Sequence, residues 1–226
     1  MIGCSSTQRC VSPEVARVAP DLNGGPVRRT GETRERLLAA ARNLFVKGGY
    51  HATRPQDITR AAGVGHGTFY QYFPDKLACF LAFADEASVE LGRRVRADLT
   101  GAETFEEVLT RALRVIFAFE REQPDVMQTI MNNPRVLTAE YEGKPGVLDR
   151  WAVFWGEALA AGQARHEVRS DIDLEMAGAG IVGVIAQAGS HGFRRGKSEE
   201  TVLDQIRRFV LSAVRPTAAS AGGFEP

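Results

Sequence analysis

Apolar residues recur along this 226-residue chain at intervals of three and four, which is the spacing of one face of an α-helix. The first such stretch runs from about Thr33 to Lys47. Gly48-Gly49 then supplies the left-handed residue that commonly ends a helix. No alternating run of apolar and polar residues predicts a β-strand. The pattern therefore indicates an all-α protein.

The stretch between the first and fourth predicted helices is the most informative part of the chain. Thr53-Arg54-Pro55-Gln56 matches a capping box, which predicts a second helix that Gly63 ends. A third, aromatic helix is expected to begin near Gly65, with Phe69 and Phe73 one turn apart on its buried side. Two short helices joined by a glycine turn form a helix-turn-helix, whose second helix can enter the major groove of DNA.

The rest of the chain is predicted to be helical for most of its length. Asp75 and Ser198 are placed to cap two of its helices, and Asp171 or Asp173 begins another that runs to about Gly192. The remaining apolar stretches predict helices at about 76–99, 104–122, 124–131, 147–166 and 198–214, whereas 135–146 is irregular or weakly helical.

Charge is distributed unevenly, although the whole chain has 28 basic and 28 acidic residues and a formal net charge of zero. Residues 28–76 hold nine lysines and arginines against four acidic residues, a net charge of +5, which leaves −5 on residues 77–226. A basic segment around a helix-turn-helix is suited to a polyanion such as DNA. A helical interaction module that does not bind DNA would have no reason to concentrate charge there.

Cysteine and histidine usage indicates no metal or disulfide chemistry. Three cysteines without CxxC spacing predict neither a disulfide framework nor a zinc site and fit a reducing cytoplasm. Cys79 lies among apolar neighbours and is expected to be a buried thiol. The four histidines are scattered, so no metal and no other cofactor is predicted.

The chain ends and the apolar runs indicate no membrane segment. Residues 1–30 are rich in proline and glycine and lack an apolar period, so they are expected to be a flexible extension. The tail at 217–226 is expected to be flexible as well. The most apolar run, Met176 to Ile185, is shorter than the roughly 20 residues that a spanning helix needs.

With these residues laid out, residues 33–80 resemble the DNA-binding domain of the TetR/AcrR-type transcriptional regulators. Gly65 departs from the family's frequent serine and His66 from its common lysine, which leaves the base preference open. Beyond residue 80 the resemblance thins to helix order and to 169–173, which is similar to the start of the family's dimerising helices. The matching residues are Thr33 to Ala41, Leu44-Phe45, Gly49-Tyr50, Thr53, Asp57-Ile58, Ala62 to Val64, Gly67 to Tyr70, Tyr72-Phe73 and Lys76.

The resemblance implies DNA contacts from the second, third and fourth helices. Thr53 and Arg54 correspond to phosphate contacts, and Gln56 to a residue that can reach a base. Lys76 is expected beside a phosphate at the start of the fourth helix, with a solvated lysine as the alternative. The recognition-helix contacts correspond to His66, Thr68, Tyr70, Gln71 and Tyr72. The tyrosines offer hydroxyl groups or pack against the fourth helix, and the glutamine offers an amide that can pair with adenine.

The resemblance also implies an effector cavity among the C-terminal helices, which show no catalytic cluster of polar side chains. An apolar lining would favour a hydrophobic ligand. Any one of the candidate side chains could equally belong to an ordinary core. The candidates are Phe83, Phe117, Met127, Met131, Trp151, Phe154 and Trp155.

The segment Ala177 to Ala186 mixes glycines with branched apolar residues on a predicted helix. Each glycine lowers helix stability by about 1 kcal/mol relative to alanine, so a close contact with another helix is expected to compensate. Together with the last helix, this segment could form half of a four-helix interface in a homodimer, and packing within one chain is the alternative. The candidate interface residues are Gly180, Gly183, Val184, Ile206, Phe209 and Val210.

These patterns predict a three-helix helix-turn-helix DNA-binding domain at 31–76 and a helical effector-binding and dimerisation domain at 77–216. The hypothesis is a repressor that binds a palindromic operator in double-stranded DNA as a homodimer and is released by a small hydrophobic effector. The alternatives are an activator of the same fold, an all-α enzyme and a helical module that does not bind DNA.

Overall fold

The computed structural model describes residues 32–131, 133 and 145–216, and every regular element within these ranges is an α-helix. The all-α fold class is therefore confirmed. The predictions for 1–30, for 217–226 and for most of 135–146 lie outside the described residues. The helices are α1 (Glu32–Ala52), α2 (Pro55–Ala62), α3 (Thr68–Tyr72), α4 (Lys76–Asp98), α5 (Phe105–Glu122), α6 (Pro124–Met131), α7 (Val147–Ala164), α8 (Leu174–Arg194) and α9 (Glu199–Val214).

Helix α1 supplies the core of the N-terminal three-helix unit. Its predicted apolar face is buried, and Leu37, Ala41 and Phe45 are fully inaccessible to solvent. Gly49 has a φ of 78°, which side chains with a Cβ rarely allow, so the regular helical conformation is interrupted where the glycine pair predicts it.

The start of α2 differs from the predicted capping box. The N-cap residue is Arg54 rather than Thr53, and no side chain caps the helix. Thr53 is 5% exposed, and its hydroxyl donates to the carbonyl oxygen of Gly49 at 2.9 Å. The threonine hydroxyl therefore donates a hydrogen bond to a carbonyl group near the end of α1. It can reach that group because only two residues separate the two helices.

Helix α3 begins at Thr68, later than predicted, because a turn precedes it. In that turn the amide of Thr68 donates to the carbonyl oxygen of Gly65 at 2.9 Å. A helix of five residues cannot be stable alone. The predicted anchors hold it: Phe69 is fully buried, Phe73 is 3% exposed, and their ring centroids lie 5.6 Å apart.

Helix α4 belongs to both the N-terminal unit and the body. Asp75 caps it as predicted, accepting a hydrogen bond from the amide of Ala78 at 2.7 Å. Phe80 and Phe83 on α4 pack against Phe45 on α1, with ring centroids 5.2 and 6.0 Å away. One buried cluster therefore runs from α1 into the body without a break at residue 76.

The body is built around α5, α7 and α8. The side of α5 that faces α4, α7 and α9 is buried almost throughout. Its N-terminus carries a capping box that the sequence analysis missed. The Thr104 hydroxyl accepts a hydrogen bond from the amide of Glu107, and the Glu107 carboxylate accepts hydrogen bonds from the amides of Thr104 and Glu103. Helices α7 and α8 lie in extensive contact.

The glycines of α8 divide into two groups. A Cβ on Gly178 would overlap the carbonyl oxygen of Ala152 and come within 2.9 Å of the amide nitrogen of Gly156, so α7 and α8 touch backbone to backbone here. Gly180 and Gly183 are exposed, and nothing lies within 4 Å of a Cβ on either. Packing within one chain thus accounts for Gly178 but not for the other two.

Helix α9 turns two of the predicted interface residues inward. Ile206 is 2% exposed and Val210 is 3% exposed, because both side chains belong to the core of their own chain. They cannot lie on an outer face, and their assignment to a dimer interface is wrong. Phe209, between them in sequence, is 61% exposed.

The close approach at Gly178 leads to a first prediction. Gly178→Ala should destabilise the protein by about 1–3 kcal/mol, because the added methyl group must push α7 and α8 apart. Gly48→Ala is the matched control, since a Cβ there meets no atom within 4 Å. Urea unfolding followed by circular dichroism would measure both variants. Equal stability of the two would contradict the backbone contact.

Candidate nucleic-acid interface and ligand cavity

Helix α3 and the turn before it expose three of the five side chains predicted for the recognition helix. His66, Tyr70 and Gln71 are exposed, and the rings of His66 and Tyr70 meet edge to face at 6.4 Å. Thr68 and Tyr72 are half-buried, and Tyr72 packs against the core. Tyr70 is 53% exposed, so its hydroxyl is available to an external ligand.

The start of α2 adds a second exposed group beside α3. Arg54 and Gln56 are exposed, and Arg54 makes no ion pair or side-chain hydrogen bond with any described residue. Arg60, one turn further on, pairs instead with Asp57 at 3.3 Å. Thr53 does not join this surface, because its buried hydroxyl is committed to Gly49. A phosphate contact by that hydroxyl does not fit the geometry.

The turn between α2 and α3 is braced by a residue that the sequence analysis missed. Gly63 has a φ of 65° and closes α2. The Arg36 guanidinium, on α1, donates to the carbonyl oxygens of Ala62 and Gly63. A charged donor to two otherwise open carbonyls at a helix end holds the angle between the two helices.

Lys76 lies at the predicted position, but its ammonium group turns toward α1. The Nζ atom donates to the carbonyl oxygen of Tyr50 at 2.9 Å and to that of His51 at 3.4 Å. It also stands 4.4 Å from the centroid of the Tyr50 ring. Phosphate binding by Lys76 stays a prediction, and it would require the ammonium group to share these contacts.

A cavity of about 380 Å³ lies between α5, α6, α7 and α8. Five of the seven predicted lining residues face it: Phe117, Met127, Met131, Trp151 and Trp155. Phe83 and Phe154 do not line it. They are 1% and 0% exposed and fill the core behind the cavity wall, where Phe83 packs on Phe45 and Phe154 on both tryptophans.

The cavity wall also contains residues that the sequence analysis did not find, three of them polar. Ser190 and Arg194 come from α8, where the arginine donates to the serine hydroxyl. Glu120 comes from α5, and burial raises the pKa of its carboxyl. The other missed residues are apolar: Ile116, Pro124, Leu148, Val182, Ile185, Ala186 and Phe193.

Two contacts join the cavity to the DNA-binding end. The indole N–H of Trp151, in the cavity wall, donates to the hydroxyl of Ser88 on α4 at 3.0 Å, and both groups are buried. The Arg42 guanidinium on α1 donates to the side-chain oxygen of Gln123, just before α6. Helices α4 and α1 are therefore in direct contact with elements that surround the cavity.

Cys79 is fully buried, and burial raises the pKa of its thiol to about 12, so it stays a neutral thiol near pH 7.

None of the helices in the described ranges is long and apolar enough to cross a membrane. Within those ranges, no three His, Cys, Asp or Glu side chains come together as a metal site.

A basic helix-turn-helix head, joined through α4 to a helical body with an apolar cavity, is the architecture of a DNA-binding transcriptional regulator. The family profile described as bacterial regulatory proteins, tetR family, matches residues 37–83. The HTH-type transcriptional regulator YdgC of Bacillus subtilis is 30% identical over 160 residues, which cover 68% of this chain and 77% of YdgC.

Two further relatives agree. The HTH-type transcriptional repressor KstR2 of Rhodococcus jostii is 28% identical over 167 residues, covering 70% of this chain and 76% of KstR2. The crystal structure of Thermus thermophilus FadR, a TetR-family transcriptional repressor in complex with lauroyl-CoA, superposes with a TM-score of 0.63 at 25% identity, covering 84% of this chain and 99% of FadR. The chain belongs to the TetR family and is a DNA-binding transcriptional regulator, not an enzyme.

The unpaired guanidinium at the start of α2 yields a second prediction. Arg54→Gln should weaken DNA binding several-fold and reduce the slope of log affinity against log salt by about one, because one phosphate contact is lost. Arg114→Gln is the control, since Arg114 is an exposed arginine on α5 that pairs with no residue in the described ranges. Fluorescence anisotropy with DNA from upstream of the coding region, at several salt concentrations, measures both. An unchanged slope in Arg54→Gln would exclude the contact.

Proposed function

We propose that this regulator is a repressor that binds a palindromic operator as a homodimer and releases it when an apolar effector occupies the cavity. The contact between Trp151 and Ser88 carries the proposal, because it joins the cavity wall to the helix that begins beside the recognition helix. That KstR2 and Thermus FadR are repressors supports this direction of control.

The proposed effector is a molecule with a long apolar chain, and a long-chain acyl-CoA is the first candidate. The cavity lies within the roughly 300–1,000 Å³ typical of small-molecule sites. Most of its wall is aromatic, aliphatic or methionine side chains. The complex of Thermus FadR with lauroyl-CoA supports the same class.

Release follows from linkage between the two sites. An effector that prefers one arrangement of α4 over another shifts the protein toward that arrangement, and it must weaken operator binding by the same factor if the operator prefers the other. Trp151 is in contact with the cavity, and Ser88 is in the middle of α4. A ligand that displaces the indole therefore acts directly on the helix that supports the DNA head.

The proposed dimer face consists of the outer sides of α8 and α9. On α8, Met176, Gly180 and Gly183 are exposed and one helical turn apart, and Met176 is 75% exposed. Phe209 is exposed on the outer side of α9, and Val184 is half-buried at the edge. Large exposed apolar side chains beside bare glycines suit a close helix contact with a second copy. Two recognition helices about 34 Å apart would then read a palindrome.

A third prediction concerns this face. Phe209→Asp should convert the protein from dimer to monomer at micromolar concentration, because a carboxylate would be buried without a partner in the interface. Val153→Asp is the control, since Val153 is 56% exposed but lies on α7, outside the proposed face. Analytical ultracentrifugation reports both. A monomeric wild type, or a Phe209→Asp variant that remains dimeric, would refute the assignment.

A fourth prediction tests the link between the sites. Lauroyl-CoA should quench tryptophan fluorescence and release the wild-type protein from its operator. Ser88→Ala should bind both DNA and ligand but reduce the release several-fold, since typical coupling energies are about 1–3 kcal/mol. The variant leaves the indole N–H of Trp151 without its acceptor. Anisotropy of labelled operator, with and without ligand, measures the coupling.

Thr110→Ala is the control for Ser88→Ala. It also removes one hydroxyl from a helix, but that hydroxyl is bonded only to its own α5 backbone at Glu106. Its release by ligand should equal that of the wild type. Full release in Ser88→Ala would disprove the proposed route, and tighter operator binding with ligand would indicate the opposite direction of control.

A further inference from the structure

Most arginines of the described body are neutralised by carboxylates. Arg93 and Arg94 pair with Glu90, Arg150 with Asp85, and Arg207 with Glu106. The end of α8 is an exception. Arg194, Arg195 and Lys197 are exposed and make no ion pair with any residue that the structure describes.

This cationic segment is continuous with the cavity. Ser190, Phe193 and Arg194 belong to the cavity wall, and Arg195 and Lys197 follow within three residues. The Phe193 ring packs edge to face on Phe117 with centroids 5.2 Å apart, which holds the end of α8 against α5. Arg194 therefore belongs to the cavity wall, and Arg195 and Lys197 follow it in sequence just beyond the wall.

Hydrogen bonds to the last turn of α8 hold the backbone of the segment. The amide of Arg195 donates to the carbonyl oxygen of His191 at 3.1 Å, and the amide of Lys197 to that of Gly192 at 3.1 Å. Gly196 between them has a φ of 70°. Glu199, which follows, is already paired with Arg121. The carboxylate that follows the segment is thus already paired with another arginine.

Stabilisation of the helix dipole accounts for basic residues at a helix C-terminus in general. It does not account for an arginine in the wall of an apolar cavity. Among the described residues, this arginine bonds to a neighbouring serine and leaves most of its five N–H donors unused. Such donors match the oxygen atoms of a carboxylate or phosphate.

We infer that Arg194, Arg195 and Lys197 form a subsite for the anionic head of an amphiphilic effector whose acyl chain occupies the cavity. The inference rests on the proposed effector site and adds the polar half of the ligand to it. The shared chemistry is an acyl chain with an anionic end, either the carboxylate of a free fatty acid or the phosphates of an acyl-CoA.

Glu120 lines the same cavity as Arg194, and its carboxyl group makes the charge of the ligand testable. It is half-buried on α5, and burial raises the pKa of its carboxyl. A ligand with an anionic head should gain affinity when Glu120 is replaced by glutamine and lose affinity when Arg194 is. A cationic ligand would show the reverse for both variants.

Tryptophan fluorescence gives a direct reading of the site, because both tryptophans of the chain line the cavity. Full-length protein would be titrated with lauroyl-CoA, laurate, methyl laurate and CoA alone. The triple variant Arg194→Gln, Arg195→Gln, Lys197→Gln should raise the Kd of lauroyl-CoA at least about tenfold, since three charge-assisted contacts are lost. Glu120→Gln should lower that Kd about threefold. The Kd of methyl laurate should stay unchanged in the triple variant.

Arg114→Gln controls for the loss of an exposed arginine, and unchanged operator affinity without ligand shows that the triple variant is folded. A tenfold loss shared by laurate assigns the subsite to carboxylate, and a loss confined to lauroyl-CoA assigns it to phosphate. Equal affinity of the triple variant and wild type for both anionic ligands would overturn the subsite. The effector proposal itself would fail separately, if methyl laurate, laurate and lauroyl-CoA all left the fluorescence and operator binding unchanged.

Discussion

The packing of Phe80 and Phe83 against Phe45 is the contact on which the rest of the structure depends. It joins α4 to α1, so the recognition helix is carried by a unit that shares its core with the body. Aromatic pairs of this kind are worth about 0.5–1.5 kcal/mol each beyond their burial, and all three rings are 0–1% exposed. A flexible linker would let the head move freely. A shared aromatic core instead makes any displacement of α4 a displacement of the head.

Two hydrogen bonds connect the elements around the cavity to α4 and α1, and they differ in how deeply they are buried. The hydrogen bond from Trp151 to Ser88 is buried, so breaking it leaves a polar group without water and costs about 1–3 kcal/mol. The hydrogen bond from Arg42 to Gln123 is exposed, and water can replace either partner. The first link can therefore carry most of a coupling energy of the usual size, whereas the second adds little more than alignment between α1 and α6.

Periodicity and helix-ending residues predict every described helix, and α6 to the residue, because these signals are local; the caps are predicted less well, since Arg54 and not Thr53 is the N-cap of α2. What they could not predict is which way a side chain turns when two partners compete. Thr53 and Lys76 both turn to carbonyl groups at the end of α1, which need donors that no local pattern reveals. Local patterns could not predict which side chains line the cavity either. Phe154 and Trp155 are adjacent and equally buried, and only the tertiary arrangement decides which one faces the cavity.

Contacts that basic side chains make within the protein also affect how the basic head can recognise DNA. The basic side chains provide a long-range attraction for a polyanion, but Arg36, Arg60 and Lys76 each already make at least one hydrogen bond or ion pair within the protein. Direct contacts are therefore expected largely from Arg54 and from the exposed uncharged side chains of α3 and of the turn before it. We therefore expect charge to bring the protein to DNA, and hydroxyl, amide and imidazole groups to supply the contacts that distinguish one sequence from another.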